Sequence, residues 1–287
     1  SIWYQSSSIP SAAGYFNNDY FDDVYQHNGV NRKYEGYTTD VFFREAQTWM
    51  KQQAARHEPF FCYLPLAAAH GPFFVPDRYR EPYRQQPPRI ASFFAMIANI
   101  DENLGRLDGF LRENGLHENT ILIFMTDNGT ATGDPVFNAG LCGNKIALYE
   151  DGHRVPLFVR WPAGKLRAAG DVTVLTQVPD VLPTLLDLCG VAKPATAKFD
   201  GTNLADLLRD SAATLSDRKL TIQSRGSTKS ARSIWAPRAR TPSSSPPATG
   251  WMCSSTSRPR CAGPKRTVPG RSSSNPPPTM KSSCAAG

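Results

Sequence analysis

Asp127 and Asn128 end an uncharged apolar run, Thr120-Ile121-Leu122-Ile123-Phe124-Met125-Thr126, and Gly129 follows at once. A carboxylate and an amide oxygen side by side suit a hard cation such as calcium, which prefers oxygen ligands. In open α/β sheets, ligands gather beyond the carboxyl ends of the strands, and this pair falls at such an end. Asn-Gly also makes an ordinary turn, although residues 130–140 supply no alternating strand to complete a hairpin. His70 holds a comparable position. It follows a second apolar run, Phe60-Phe61-Cys62-Tyr63-Leu64-Pro65-Leu66, and sits in Ala67-Ala68-Ala69-His70-Gly71-Pro72-Phe73. Gly71 and Pro72 stiffen that turn; taken alone, His70 reads equally as a surface-loop histidine. Two other candidates fail. Gly143-Asn144-Lys145 is no phosphate loop, since Ile146 rather than Ser or Thr follows the lysine. Asp22-Asp23 has no strand to place it and reads as a solvated turn.

The elements that must position these residues follow from periodicity. The two apolar runs predict strands buried on both faces, as in parallel sheets. One helix lies before the run at 60–66 and another between the two runs. Thr39 reads as the N-cap of the first, with Asp40 in its first turn and Phe42, Ala46, Trp49, Met50 and Gln53 at helical spacing over about 15 residues. After a Pro- and Arg-rich connector at 75–89, Phe94, Ile97, Ile100, Leu104, Leu107 and Leu111 mark the longest helix, stopped by Gly115. Val155-Pro156-Leu157-Phe158-Val159-Arg160-Trp161 predicts a third strand. Asp180 caps a helix through Leu188 with apolar face Val181, Leu182, Leu185 and Leu188. A short helix passes through Leu207 and Leu208, and Leu220-Thr221-Ile222 predicts a last strand. Residues 1–36 show neither period and read as a long surface loop. Helix and strand in alternation predict an α/β fold with a mostly parallel central sheet flanked by helices.

Composition narrows the partners. The net charge of +7 invites a nucleic-acid reading, but 11 of the 32 Lys and Arg lie in residues 225–287, which hold no Asp or Glu. Removing them leaves 21 basic against 25 acidic residues, a net −4 for residues 1–224. The tail lacks interleaved aromatics, since Trp235 and Trp251 stand alone, so no nucleic-acid partner is expected. No apolar run reaches the ~18 residues of a membrane span, and nothing resembles a signal peptide. Six cysteines show no zinc spacing; Cys62 and Cys189 sit in apolar runs and read as small core residues.

Five stretches, in order, resemble the sulfatases, the sulfuric ester hydrolases of the alkaline-phosphatase-like superfamily. Ala69-His70-Gly71-Pro72-Phe73 is similar to the family's A-P-H-x-P-F turn. Met96-Ile97-Ala98-Asn99-Ile100-Asp101-Glu102-Asn103-Leu104-Gly105-Arg106-Leu107 resembles its long helix, and Thr126-Asp127-Asn128-Gly129 its metal-binding strand end. Gly143-Asn144-Lys145 with Tyr149-Glu150-Asp151-Gly152-His153-Arg154-Val155-Pro156 is similar to its G-x-K…E-G-G-x-R-V-P segment. Asp180-Val181-Leu182-Pro183-Thr184-Leu185-Leu186-Asp187-Leu188 completes the set. Ala68 stands where the turn usually has Pro, and Asp151 replaces a glycine.

The resemblance implies a sulfatase fold, a calcium ion and a formylglycine nucleophile. Asp127 and Asn128 would supply two metal ligands; His70 and Lys145 would bind sulfate oxygens and assist the departing alcohol. It also implies a sulfated sugar or aryl substrate, a formylglycine-generating enzyme as partner, and a periplasmic, secreted or lysosomal location. The family's nucleophile motif, C/S-x-P-S-R, does not occur; Ser8-Ile9-Pro10-Ser11-Ala12 is the nearest string and ends in Ala. Its early Asp-Asp pair and its early Lys and His are missing too. The chain therefore reads as the later part of a catalytic domain at residues 1–224, incomplete at its N-terminus and inactive alone. A non-catalytic remnant, or a phosphatase or phosphonate hydrolase of the same superfamily, stays open. Residues 225–287 bury too little to offset their ordering entropy and are expected to be a disordered basic tail. That tail reads as an unselected sequence, from a shifted frame or an assembly error. Resequencing the source DNA across the codons near Arg225 checks this, and an intact frame there refutes it.

Overall fold

Two helices form the bed on which the rest lies. The computed structural model describes residues 2–3, 20–223 and 232–235, all within the unit Ser1–Thr241. In chain order the elements are β1 (Ile2–Trp3), β2 (Val24–His27), β3 (Val30–Lys33), α1 (Thr38–Ala55), α2 (Asp77–Arg80) and α3 (Pro88–Glu113). Then come β4 (Leu122–Met125), α4 (Glu150–His153), β5 (Leu157–Arg160), α5 (Val181–Leu188), α6 (Ala205–Arg209), β6 (Leu220–Gln223) and β7 (Arg232–Trp235).

The first 36 residues hold more structure than a surface loop. β2 pairs antiparallel with β3 and with β1. The turn between β2 and β3 is Asn28-Gly29, both at positive φ (50° and 83°), the conformation that matches the twist of a two-residue hairpin. The Asn-Gly signal was in the sequence, but polar residues around it masked the alternation. Asp23, read as solvated, is buried at the start of β2, whereas Asp22 stays exposed and accepts the Gly36 N–H at 2.7 Å.

α1 and α3 pack through one apolar seam and one polar clamp. Phe43 and Met50 of α1 meet Leu107 and Leu111 of α3, and Phe60, Cys62, Leu64, Leu66 and Leu122 pack on the same cluster. Higher up, Asp40 Oδ1 accepts the side-chain amides of Asn99 at 2.8 Å and Asn103 at 2.7 Å. Both asparagines are buried, so a charge-assisted pair of bonds fixes the register of the helices where apolar packing alone would let them slide. Thr39 is buried within the first turn of α1 rather than capping it, because the helix begins at Thr38 after Tyr37. α3 stops where predicted. Gly115 at φ 67° lets the Leu116 N–H reach the Leu111 carbonyl at 2.8 Å and its own N–H reach that of Arg112 at 3.1 Å, a Schellman ending.

The sheet is mixed-class α/β material but differs from the predicted parallel arrangement. β4 pairs antiparallel with β5, Phe124 opposite Phe158 with ring centroids 6.3 Å apart. β4 is half-buried rather than covered on both faces. Every strand pair among the described residues is antiparallel. The second apolar run is extended at 60–66 but joins no strand ladder among the described residues. Its even-numbered side chains face the helices, while Phe61 and Tyr63 are 74% and 78% exposed. Uncharged residues signal burial on two faces, yet only one face is covered here.

β5 is tied to the far end of α3 by Arg160, whose Nη1 lies 2.6 Å from Asp108 Oδ1 and close to His117. Burial alone would raise the Asp108 carboxyl, but the hydrogen bond from Arg112 and the charge of Arg160 hold it below the usual range. Within α5, Leu188 is buried as expected, whereas Leu182 is exposed and so is Cys189, which is no core residue. Cys62 is half-buried, and burial pushes its thiol up. In the predicted disordered tail, Arg232–Trp235 forms β7 against β6; the remainder of that tail lies outside the described residues. Among the described residues no helix is long and apolar enough to cross a membrane.

Asp180 precedes α5 but makes no side-chain bond that caps it; its carboxylate is engaged elsewhere. It is fully buried, accepts the N–H groups of Gln177 and Thr202 at 2.8 Å each, and pairs with both outer nitrogens of Arg218. Burial alone would raise its carboxyl; the bonds from Arg218, Thr202 and Gln177 outweigh that and lower it. Asp180→Ala leaves a half-buried guanidinium with only the Leu175 carbonyl and strands two N–H groups, and should cost about 3 kcal/mol of unfolding free energy in urea melts near neutral pH. A depressed folded pKa confers stability in full above the unfolded value of ~3.9 and loses it as pH falls through the folded one. The gap between wild type and variant should therefore narrow below about pH 4.

Candidate functional site

Three loops converge beyond the end of β4. The first, residues 126–133, carries Asp127 and Asn128; the second, residues 142–147, carries Lys145; the third leads through α4. Backbone bonds stitch them together. The Lys145 N–H donates to the Thr130 carbonyl at 2.6 Å, the Gly129 N–H to the Gly152 carbonyl at 3.2 Å, and the Asp151 N–H to the Cys142 carbonyl at 3.0 Å. Thr130 closes its own loop, its hydroxyl accepting the N–H groups of Thr132 at 3.1 Å and Gly133 at 2.9 Å. Ser and Thr commonly bend backbone this way, which is the signal by which Thr130 was legible and passed over.

Gly129 is required by contact rather than by torsion. A Cβ there would lie 1.6 Å from the Asp151 carbonyl oxygen, and one on Gly152 would lie 2.2 Å from that of Ala147. Two glycines thus let the strand end and the α4 loop touch backbone to backbone.

The four predicted side chains divide as follows. Asp127 is exposed and Asn128 half-buried, and Asn128 Nδ2 donates to Asp127 Oδ2 at 2.5 Å. Lys145 is half-buried, with no carboxylate at ion-pair distance among the described residues. His70 is exposed on a turn closed by its own N–H to the Ala67 carbonyl at 2.9 Å. Its Nδ1 lies 2.8 Å from the Gly71 carbonyl. A carbonyl can only accept, so Nδ1 carries a proton and Nε2 remains for other partners. Apart from Asn128 to Asp127, none of these four side chains bonds to another among the described residues. The His70 turn reaches the other loops indirectly: Phe73 packs edge-on against Phe93 of α3 at 6.1 Å, and Phe93 abuts Gly133.

As a metal site the donors are right in kind and short in number. A carboxylate and an amide oxygen fit calcium, which takes six to eight oxygens. Among the described residues no group of three His, Cys, Asp or Glu stands ready to hold an ion. Asp151 is a further buried carboxylate in this cluster of loops, with Oδ2 unpartnered. Burial first, and Asp134 second, raise its carboxyl.

Comparison with known proteins decides the family. The Sulfatase family model matches residues 2–191. The chain belongs to the sulfatase family. It is 30% identical to the sulfatase YdeN of Escherichia coli K12 over 61% of this chain and 32% of that protein. It is 28% identical to the N-acetylgalactosamine-6-sulfatase of Sus scrofa over 70% of this chain and 38% of that one. The crystal structure of Ps i-CgsB in complex with k-i-k-neocarrahexaose superposes with TM-score 0.58 at 29% identity, covering 65% of this chain and 42% of that chain. The chain thus spans between about a third and two-fifths of these relatives' lengths. The shared fold is that of sulfatases, reached here with mixed α/β elements.

Because the three sulfatase loops meet backbone to backbone, Gly129→Ala should displace them. We expect it to lower stability by about 1–3 kcal/mol and to speed amide exchange in residues 126–133 and 142–152, with the α1–α3 amides unchanged. Protection unchanged from wild type in both stretches would contradict this packing.

Proposed function

We propose that this chain forms one wall of a calcium-dependent sulfatase site that hydrolyses a sulfate monoester. The observation that carries the reading is the bond from the Lys145 N–H to the Thr130 carbonyl at 2.6 Å. It supports a shared rim for Lys145, which the family resemblance assigns to the sulfate oxygens, and the Asp127–Asn128 pair, which it assigns to the calcium ion. Family membership supports the reaction class.

Charge builds on the leaving oxygen as a sulfate ester breaks. Lys145 binds the sulfuryl oxygens, its ammonium offsetting charge that water would otherwise solvate. His70, with Nδ1 engaged by Gly71, presents Nε2 to hydrogen-bond the ester and to hand a proton to the departing alcohol. Asp127 and Asn128 would hold the calcium ion through side-chain oxygens. That ion, when bound, supplies positive charge against the sulfuryl group. The formylglycine nucleophile and the remaining metal ligands have no counterpart in this sequence. They come from outside it, and a formylglycine-generating enzyme would act on the polypeptide that carries them. This chain alone should then be inactive.

A sulfated sugar is the favoured substrate class over a simple aryl sulfate. Two similar proteins bear names or ligands of that kind, an N-acetylgalactosamine-6-sulfatase and a structure holding k-i-k-neocarrahexaose. Sulfated glycans are met outside the cytoplasm, so we place the parent protein in the periplasm, a secreted fraction or the lysosome. The departure at Asp151 keeps a second reading in play, a non-catalytic remnant, because an unpaired buried carboxylate beside the rim opposes binding of an anion. A phosphatase or phosphonate hydrolase is the third.

Extending the reading frame upstream and expressing the product distinguishes these. The sulfatase reading expects a C/S-x-P-S-R motif, release of sulfate from aryl and sugar sulfates, and loss of activity on calcium chelation. His70→Ala and Lys145→Ala should each lower kcat about 100-fold or more. Faster turnover of phosphate esters would favour the sister enzymes. No motif and no turnover would leave the remnant. A native-like rate from the 287-residue chain by itself would overturn the division of the site proposed here.

A further inference from the structure

His117 follows the Schellman ending of α3 and is buried, 8% exposed. Charged groups face it from every element packed there: Asp108 and Arg112 from α3, Arg160 from β5, and Glu118 beside it. The 161–164 turn also packs here, through the Ala163 N–H to the Glu118 carbonyl at 2.9 Å, and brings no charge. Both ring nitrogens are engaged. Nδ1 lies 2.9 Å from Glu118 Oε1, and Nε2 meets Arg160 Nη1. A guanidinium can only donate and an ionised carboxylate can only accept, so Nδ1 carries the proton and Nε2 is bare. The ring is therefore neutral in this arrangement. Arg160 Nη1 also reaches Asp108 Oδ1 at 2.6 Å, and that same oxygen lies 3.6 Å from His117 Nε2. Arg160 Nη2 is buried without a partner among the described residues.

We propose that His117 is a proton-operated latch between β5 and α3, closed while the imidazole is neutral and released when it takes a second proton. Protonation puts an N–H on Nε2, directly against the N–H of Arg160 Nη1. Two donors of like charge cannot share that contact. The nearest acceptor for the new N–H is Asp108 Oδ1, the oxygen that holds Arg160. Asp108 Oδ2 is already taken by Arg112 Nε at 2.9 Å, so imidazolium and Arg160 compete for the oxygen that is left. Arg160 gives up the ring, and its other outer nitrogen has no bond to fall back on. The cleft lined by Arg112, Gly115, His117 and Glu118 opens the ring to solvent protons. Imidazole ordinarily changes charge between about pH 5 and pH 8, whereas carboxylates and guanidinium groups ordinarily do not. The element released is β5, a four-residue strand whose one ladder among the described residues is with β4. Arg160 is the ion pair that ties it to the helix layer. The inference stands on this cluster alone and holds for an inactive relative as well.

The test is amide hydrogen exchange of the 287-residue chain at about pH 8 and about pH 5, each rate corrected for the intrinsic effect of pH. Nitrogen NMR follows the His117 ring in the same samples. At the higher pH the ring should carry its proton on Nδ1 alone. At the lower pH both nitrogens should be protonated, and protection of the amides in residues 157–160 should fall about tenfold. The amides of the α1–α3 seam should keep their protection. His117→Gln retains an oxygen that can accept from Arg160 and cannot titrate there, so its β5 protection should be equal at the two pH values. If that variant does not fold, the wild-type ring titration must still coincide with the loss of β5 protection. Four results would overturn the proposal: a proton on Nε2 at the higher pH; a ring that stays neutral at the lower one; β5 protection that holds constant while the ring titrates; or a pH dependence of β5 that persists in His117→Gln. None of these readouts depends on sulfate release, so failure here is separable from failure of the catalytic reading.

Discussion

A carboxylate shared by two asparagines sets the geometry from which the site descends. Asp40 on α1 takes both Asn99 and Asn103 of α3, four residues apart and hence on one face of the helix. Apolar packing below is directionless and would tolerate sliding by a turn; two short bonds to one oxygen would not. Once the helices are in register, the hydrophobic trough between them has a fixed line. The extended run leading to His70 and the strand leading to Asp127 both lie on it. Leu66 and Leu122, one from each, touch the same cluster.

What the helices cannot do is bring the strand ends together. That task falls to backbone contacts among loops poor in regular structure. Gly129 and Gly152 permit an approach that a single methyl would prevent, and Thr130 turns its loop back with its own hydroxyl. A rim made mainly of peptide groups costs little side-chain entropy to order. Of its charged members, Asp127 is exposed and Lys145 half-buried. The aromatic contact of Phe73 with Phe93 couples the His70 turn to the same rim through α3.

Charges elsewhere brace the body. Arg160 joins β5 to Asp108 at the far end of α3, and Arg218 joins the C-terminal segment to Asp180 beneath α5. In both cases burial opposes the carboxylate charge and arginine restores it. The first of these pairs holds a strand to a helix, and the second holds the segment before β6 to the start of α5. Asp151 is the exception: buried, unpaired in one oxygen, and raised by burial and by Asp134.

Much of this was legible in the order of residues alone. The two long helices, the stop at Gly115, the apolar run before Asp127-Asn128 and the sulfatase-like motifs are local or sequential signals. They depend on 3.6-residue spacing, on a glycine's tolerance of positive φ, and on which side chains stand beside one another. The hairpin at Asn28-Gly29 was equally local and escaped only because polar neighbours hid its alternation. Tertiary structure alone decided the rest. An uncharged run such as residues 60–66 does not say whether one face or two will be covered, nor whether its partner runs parallel, since both depend on chain far away in sequence. No spacing rule brings Lys145 to Thr130, or Asn99 and Asn103 to Asp40 across some sixty residues. Such contacts follow from where the packed helices leave room, a property of the folded whole and of no single stretch within it.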